Sequence, residues 1–324
     1  MSVRAIRFDK TGGSDVLKLE TIALPPPGKG EVRLRHTAIG VNFIDTYHRS
    51  GLYPVPLPSG LGKEAAGVVE ALGEGVRELK VGDRVATATA PLGMYAEASN
   101  VAAKELVKLP AGVGDDVAAA AMLKGLTAWY LLRETYKVQK GETILVHSAA
   151  GGVGLILCQW ARALGVTVIG TVGSEGKAAL AREAGAAHVL VLSDGWEKKV
   201  REIMGGDGLP VVYDSVGKDT FEASLNCLRP RGLMVSFGNS SGAVPPFSPG
   251  ILAAKGSLYL TRPTLFHYVA TRPELERAAA ELFAVMESGA VKVDVRQRFA
   301  LSDAKAAHDA LEGRKTTGAT VLLP

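Results

Sequence analysis

Residues 143–154 read Thr143-Ile144-Leu145-Val146-His147-Ser148-Ala149-Ala150-Gly151-Gly152-Val153-Gly154, and the apolar run Leu155-Ile156-Leu157-Cys158-Gln159-Trp160 follows at once. A short apolar run reads as a buried strand, the glycine-rich turn ends it, and the next run opens a helix. Strand, tight turn and helix N-terminus in that order form the setting in which a dinucleotide pyrophosphate is bound. Bare backbone lets the phosphates approach, and the first helical N–H groups and the helix dipole meet their charge. Against the spacing G-x-G-x-x-G, Ala149 takes the first position while Gly151 and Gly154 fit the other two. A glycine motif alone can equally be a structural turn, so its surroundings decide.

Downstream, apolar runs recur at 166–169, 188–191, 211–213, 233–236 and 257–260. Helical patterns separate the first five strands at 155–164, 177–184, 196–204 and 220–228. Alternating βα units with nearly continuous apolar strands predict a parallel sheet covered on both faces. Upstream of Pro110 the chain reads differently. Short apolar runs at 5–8, 32–35, 66–69 and 84–86 lie between Gly/Pro turns such as Pro25-Pro26-Pro27-Gly28, which predicts a small barrel or sandwich. An alanine-rich helix is expected over 115–123. Beyond about residue 265 come an amphipathic helix (273–287), a strand (292–299), a helix (302–311) and a last strand (319–323). The fold class is therefore α/β, a β-rich unit joined to a doubly wound parallel sheet.

The 324 residues suggest about two domains. Apolar types at 47% and charged types at 22% are ordinary globular usage, which excludes a disordered chain. The net charge of +4 is spread without a basic block, and no basic stripe with stacked aromatics occurs, so nucleic acid is not an expected partner. No apolar run reaches the ~18 residues of a membrane span, and the start Met1-Ser2-Val3-Arg4 opens no secretion signal. Two cysteines, Cys158 and Cys227, without a CxxC pattern point to the reducing cytoplasm. Six scattered histidines, with no HExxH and no Cys/His cluster, leave no metal site. His147 reads as structural. Gly238-Asn239-Ser240-Ser241-Gly242 has nucleophile-elbow spacing but runs into Ala243-Val244-Pro245-Pro246, which cannot open the required helix. It reads instead as a loop at the carboxyl edge of the fifth strand, where ligands of such sheets bind.

An NAD site usually offers a carboxylate to the ribose at the end of its second strand. Here Gly173-Ser174-Glu175-Gly176-Lys177 follows that strand. Ser174 and Lys177 could hold a 2′-phosphate, which favours NADP, while Glu175 between them argues the other way. The stretch Gly40 to Pro54 reads as loop-like and crowds polar and aromatic groups together, with Asn42, Asp45, Tyr47 and Tyr53 able to line a cleft or simply to pack.

These segments together resemble the zinc-free quinone oxidoreductases of the medium-chain dehydrogenase/reductase superfamily, the ζ-crystallin-like group. The carrying residues are Gly40 to Pro54, Gly60 to Gly67, Leu123 to Ala128, Ala149 to Gly154, Val212 to Gly217 and Gly232 to Gly242. The resemblance implies a GroES-like catalytic domain from 1–125 and 265–324, a Rossmann NADP-binding domain from 126–264, an active site in the cleft and a homodimer. It implies NADPH-dependent reduction of quinones or related conjugated carbonyls without metal. A 2-alkenal or enone double-bond reductase and a non-catalytic NADPH-binding protein are the alternatives. Zinc-dependent relatives carry a cysteine near Asn42 and a histidine near Lys63, and this chain has neither. With no metal to polarise the carbonyl, hydrogen-bond donors must do so, and Tyr53 and Asn42 are the candidates for orienting the acceptor, with Tyr47 the candidate proton relay. By the same resemblance Asn42, Asp45, Tyr47 and Tyr53 face the nicotinamide end, with Arg262 nearer the nicotinamide, and Thr127 lies near the cofactor. Gly151, Gly152 and Val153 meet the pyrophosphate, and Gly173, Ser174 and Lys177 the 2′-phosphate. Ser215, Phe237 and Asn239 line the cofactor, and Arg314 to Thr316 close over it. Where the group often has a tyrosine after the third strand, this chain has Leu192, which cannot hydrogen-bond.

Overall fold

The computed structural model describes all 324 residues. They divide into two units: Met1–Leu126 with Val269–Glu287 and Val293–Pro324, and Thr127–Tyr268 with Ser288–Lys292.

The second unit is built on a six-stranded sheet whose neighbouring strands all run parallel. Its spatial order is His188–Val191, Thr167–Val172, Thr143–Val146, Leu209–Asp214, Leu228–Ser236, Tyr259–Thr261. Counted along the chain that is 3-2-1-4-5-6, so the order reverses between Thr143–Val146 and Leu209–Asp214. Ile144, Leu145 and Val146 are wholly buried, as a strand covered on both faces requires. The strand and helix pattern was legible here with small shifts. The expected helix over 220–228 stops at Asn226, because Leu228 already starts the next strand, and the last strand is Tyr259–Thr261 rather than 257–260, since Ser257 sits at φ 55°. No helix follows the Gly238–Gly242 turn; the next is Gly250–Ala254.

In the first unit the eleven-residue strand Glu31–Val41 organises a seven-stranded sheet. One edge pairs antiparallel with Ala65–Leu72. The other takes Ala98–Ala102 along its first half and Ala319–Leu323 at its end. The C-terminal tail therefore completes this sheet, with Val295–Ala300 lying parallel to Ala319–Leu323. A second sheet of three strands pairs Ser2–Phe8 with Lys18–Ala23 and Ser59–Gly60. Phe8, Val32, Leu34, Ile39, Leu61, Val69, Val85 and Leu106 fill the core between them.

One expectation for this unit is corrected. Residues 43–50 are not a loop but the α-helix Phe43–Ser50. Its composition hides it: Ile44, Thr46 and Tyr47 are poor helix formers. Its ends are strong instead. Asp45 Oδ2 accepts the Asn42 N–H at 2.8 Å, one arm of a capping box, and Gly51 closes the helix at φ 85°, a left-handed conformation that glycine adopts without strain.

Candidate active site

In the second unit the predicted residues gather at one edge of the sheet, at the carboxyl ends of its strands. Ser148 to Gly154 follow Thr143–Val146, and Gly173 and Ser174 follow Thr167–Val172. Ser215 follows Leu209–Asp214, Phe237 follows Leu228–Ser236, and Arg262 follows Tyr259–Thr261. The glycine-rich turn and Ser215 flank the point where strand order reverses, which is where doubly wound sheets bind ligands.

The turn itself is tight. Ser148 holds a left-handed φ of 54°, its carbonyl accepts Gly151 N–H at 2.8 Å, and Gly151, Gly152 and Val153 are half-buried. The helix Gly152–Ala163 starts directly there, so its first N–H groups have no partner within the helix. A side chain at Gly154 would run into Ser148 O and come within 2.8 Å of Ala149 C and Cα. Beside Gly173 nothing lies within 4 Å of where a Cβ would stand. A close-packed turn with bare backbone and free amides fits a diphosphate. The alanine at the first fingerprint position has a structural answer: a Cβ on Gly170 of the neighbouring strand would lie 2.7 Å from the Ala149 Cβ. The missing glycine has in effect moved one strand over.

Buried polar groups brace this edge. Asp214 is fully buried; its Oδ1 accepts the N–H groups of Val216 at 2.7 Å and Gly217 at 3.1 Å, and its Oδ2 accepts the Thr220 hydroxyl at 2.7 Å. The carboxylate thus sets the loop after Ser215. His147 spans Thr171 Oγ1 at 2.7 Å and Ser224 Oγ at 2.9 Å, and burial holds its pKa below the usual histidine value. It ties neighbouring elements together, the structural role its sequence position suggested.

In the first unit the helix Phe43–Ser50 groups Asn42, Tyr47 and Tyr53. The Tyr47 and Tyr53 rings meet edge-on at 5.2 Å, Tyr53 N–H donates to Tyr47 O at 3.0 Å, and the Tyr53 ring lies 6.0 Å from that of His48. Tyr47 and Asn42 are almost buried while Tyr53 is half-buried. Asp45 does not join them as a contact surface. It has no exposure, and its carboxylate turns inward to Asn42 N–H and to the Tyr95 hydroxyl at 2.9 Å. Burial raises its pKa to about 7. Its task is to hold the start of the helix. The hydrogen-bonded chain continues from Tyr95 to His308 at 3.3 Å and on to Arg49 at 3.2 Å, which pairs with Glu312.

Two charged residues escaped the sequence reading. Glu64 and Lys124 are buried, with an Nζ to Oε2 distance of 3.3 Å, and both bond the Asn42 carboxamide. The signal was present: a lysine inside the apolar helix Asp115–Tyr130, and a glutamate that, with Lys63, interrupts a run of small and apolar residues. Thr127 is buried in that helix, and Lys177, Asn239 and Thr316 are half-buried. No group of three or more His, Cys, Asp or Glu side chains converges as a metal would require.

Comparison with known proteins fits this geometry. Residues 28–111 match the alcohol dehydrogenase GroES-like domain model and residues 152–284 the zinc-binding dehydrogenase model. The quinone oxidoreductase of Pseudomonas aeruginosa is 56% identical over 323 residues, 99% of both chains. The chain belongs to the quinone oxidoreductase family of medium-chain dehydrogenases/reductases. It is a zinc-free member and an enzyme. The crystal structure of Escherichia coli quinone oxidoreductase complexed with NADPH superposes with a TM-score of 0.97 at 52% identity, covering 99% of this chain and 100% of that one. The 2-haloacrylate reductase of a Burkholderia species is 47% identical, with 99% of each chain covered.

Proposed function

We propose that this enzyme uses NADPH to reduce quinones. The observation that carries the reading is the glycine-rich turn at the switch point, close-packed at Gly154 and open at Gly173, in a chain half identical to an oxidoreductase solved with NADPH. When bound, NADPH supplies the reducing equivalents that the acceptor takes up. Gly152 and Val153 offer backbone N–H groups to the diphosphate. Ser174 and Lys177 hold the 2′-phosphate, with Glu175 opposing them and Leu192 contributing only apolar surface. Ser215, Phe237, Asn239, Arg262 and Thr316 complete the cofactor contacts, and Thr127 stands near the nicotinamide.

Asn42 and Tyr53 orient the acceptor by donating hydrogen bonds to its carbonyl oxygen, where negative charge grows as the acceptor is reduced. Tyr47, ring to ring with Tyr53, passes the proton. We infer further a cytoplasmic homodimer. Tyr259, 62% exposed on the outermost strand of the six-stranded sheet, gives that assembly an apolar edge; light scattering in solution reads the mass directly. No helix is long and apolar enough to cross a membrane.

One observation favours a second substrate class. The 2-haloacrylate reductase relative acts, by its name, on a 2-haloacrylate. Quinones and such acrylates or 2-alkenals are all electron-poor conjugated acceptors. Comparing turnover on 1,4-naphthoquinone, 9,10-phenanthrenequinone, 2-chloroacrylate and a 2-alkenal separates the readings. Quinones turn over fastest if the first holds; acrylate or alkenal turnover without quinone turnover would replace it. Tight NADPH binding with no acceptor reduced would leave the non-catalytic alternative.

A further inference from the structure

We propose that Glu64 and Lys124 are positioning residues, a buried ion pair that holds the Asn42 carboxamide in a single orientation and so decides which end of it donates to the acceptor. The proposal rests on the acceptor-orienting role of Asn42 given above.

A carboxamide can bind either way round, because its oxygen and nitrogen ends have the same shape. At Asn42 the surroundings remove that freedom. Lys124 Nζ donates to Asn42 Oδ1 at 2.7 Å, and Asn42 Nδ2 donates to Glu64 Oε2 at 2.7 Å. An ammonium has only donors and a carboxylate only acceptors. Turned over, the amide would aim N–H at the ammonium and oxygen at the carboxylate. The Lys124 and Glu64 side chains are 7% and 0% exposed, so water could not relieve that mismatch.

Lys124 Nζ and Glu64 Oε2 also lie 3.3 Å apart, so Oδ1, Nζ, Oε2 and Nδ2 close into a ring. A ring of that size uses the Nδ2 hydrogen on the same side as Oδ1. The second hydrogen points away from the ring and is the N–H left for a ligand. The backbone N–H of Asn42 is already taken by Asp45 at 2.8 Å.

The ion pair is itself built in. Glu64 Oε1 accepts the N–H of Leu123, inside the helix Asp115–Tyr130, at 2.7 Å. Gly40 makes the room: a Cβ there would overlap both Glu64 Oε2 and Ala119 O. A charge pair with this much desolvation contributes little net stability on general grounds, which fits a role in positioning.

A transposed variant isolates the idea. Asn42→Asp with Glu64→Gln keeps the heavy-atom count and the charge and moves the amide from residue 42 to residue 64. Lys124 then donates to residue 42, Gln donates where Glu accepted, and its oxygen still takes the Leu123 N–H. The outward N–H disappears, and Lys124 loses its bond to residue 64, because its ammonium and the Gln amide nitrogen are both donors. The expected result is a folded protein with a lowered melting temperature, NADPH KM within about twofold, and kcat on 1,4-naphthoquinone down at least tenfold. A second variant, Glu64→Gln with Lys124→Met, removes both charges together. It too should lower kcat tenfold or more, yet cost nothing further when added to Asn42→Ala. Wild-type kcat in the transposed variant overturns the proposal, as does a loss that multiplies onto that of Asn42→Ala. If Asn42→Ala itself turns over like wild type, the acceptor role of Asn42 falls, and the proposal with it.

Discussion

Replacing Gly170 by alanine tests why this dinucleotide turn tolerates Ala149. The added Cβ would stand 2.7 Å from the Ala149 Cβ, closer than real methyl groups approach. Its other neighbours are comfortable, with Ala186 Cβ at 3.4 Å and His188 O at 3.8 Å. All the strain therefore falls on one contact, between the strand Thr167–Val172 and the turn after Thr143–Val146. Neither side yields easily, because Ala149 N–H is bonded to Thr171 O at 2.9 Å and Ala149 is wholly buried. Overpacking of this kind costs about 1–3 kcal/mol. At roughly 2–4 °C per kcal/mol, Gly170→Ala should melt about 2–12 °C lower than wild type. Fluorescence-detected melting measures that. NADPH affinity, read by quenching of tryptophan emission, should weaken too, since the displaced turn carries Gly151 to Gly154. The decisive variant is Ala149→Gly with Gly170→Ala, which moves the methyl group across the contact and should recover most of the loss. A neutral Gly170→Ala, or a double variant no better than the single, would refute the packing argument.

Four further outcomes follow from named groups. Burial holds His36 and His48 at about 4 and His308 at about 3, against 6.5 for an ordinary histidine. The unfolded chain then takes up protons the folded one refuses, so these groups favour the fold above pH 6.5 and lose that contribution as pH falls toward 4. Asp45, raised to about 7, acts in the opposite sense, costing stability as pH rises from about 4 to about 7, and the histidines outnumber it. The urea midpoint should fall on acidification below pH 6.5, and the Asp45→Asn variant should gain on wild type as pH rises toward 7. Arg49→Met removes both contacts to Glu312, at 2.7 and 2.9 Å, from a side chain only 3% exposed, and should cost about 2 kcal/mol in urea unfolding. Tyr53→Phe should lower quinone turnover while leaving NADPH binding intact; unchanged turnover would remove Tyr53 from the mechanism.

The parallel sheet was readable because its strands are buried on both faces and its helices are amphipathic, so that sequence pattern and burial coincide. The strand Thr143–Val146, for example, falls where the apolar run does, with Ile144, Leu145 and Val146 wholly buried. The helix Phe43–Ser50 was not, because its stability lies in a cap, a left-handed glycine and tertiary bonds from Arg49 and Asp45, none of which leaves a periodic trace. The same holds for the candidate site. The turn at Gly151 to Gly154 announces itself through glycine. The support of Asn42 does not, since Glu64 and Lys124 meet only once the sheet and the helix Asp115–Tyr130 are folded together. Asp45, read as a cofactor contact, proved to face inward for the same reason: sequence shows that a carboxylate is present, not which way it points.

The central claim is tested most directly by following absorbance at 340 nm with NADPH and 1,4-naphthoquinone, with a metal chelator present and again with NADH in place of NADPH. The account predicts rapid quinone-dependent loss of NADPH that the chelator leaves untouched, and slower loss of NADH. NADPH that stays unoxidised with every quinone tried, or oxidation abolished by the chelator, would contradict it.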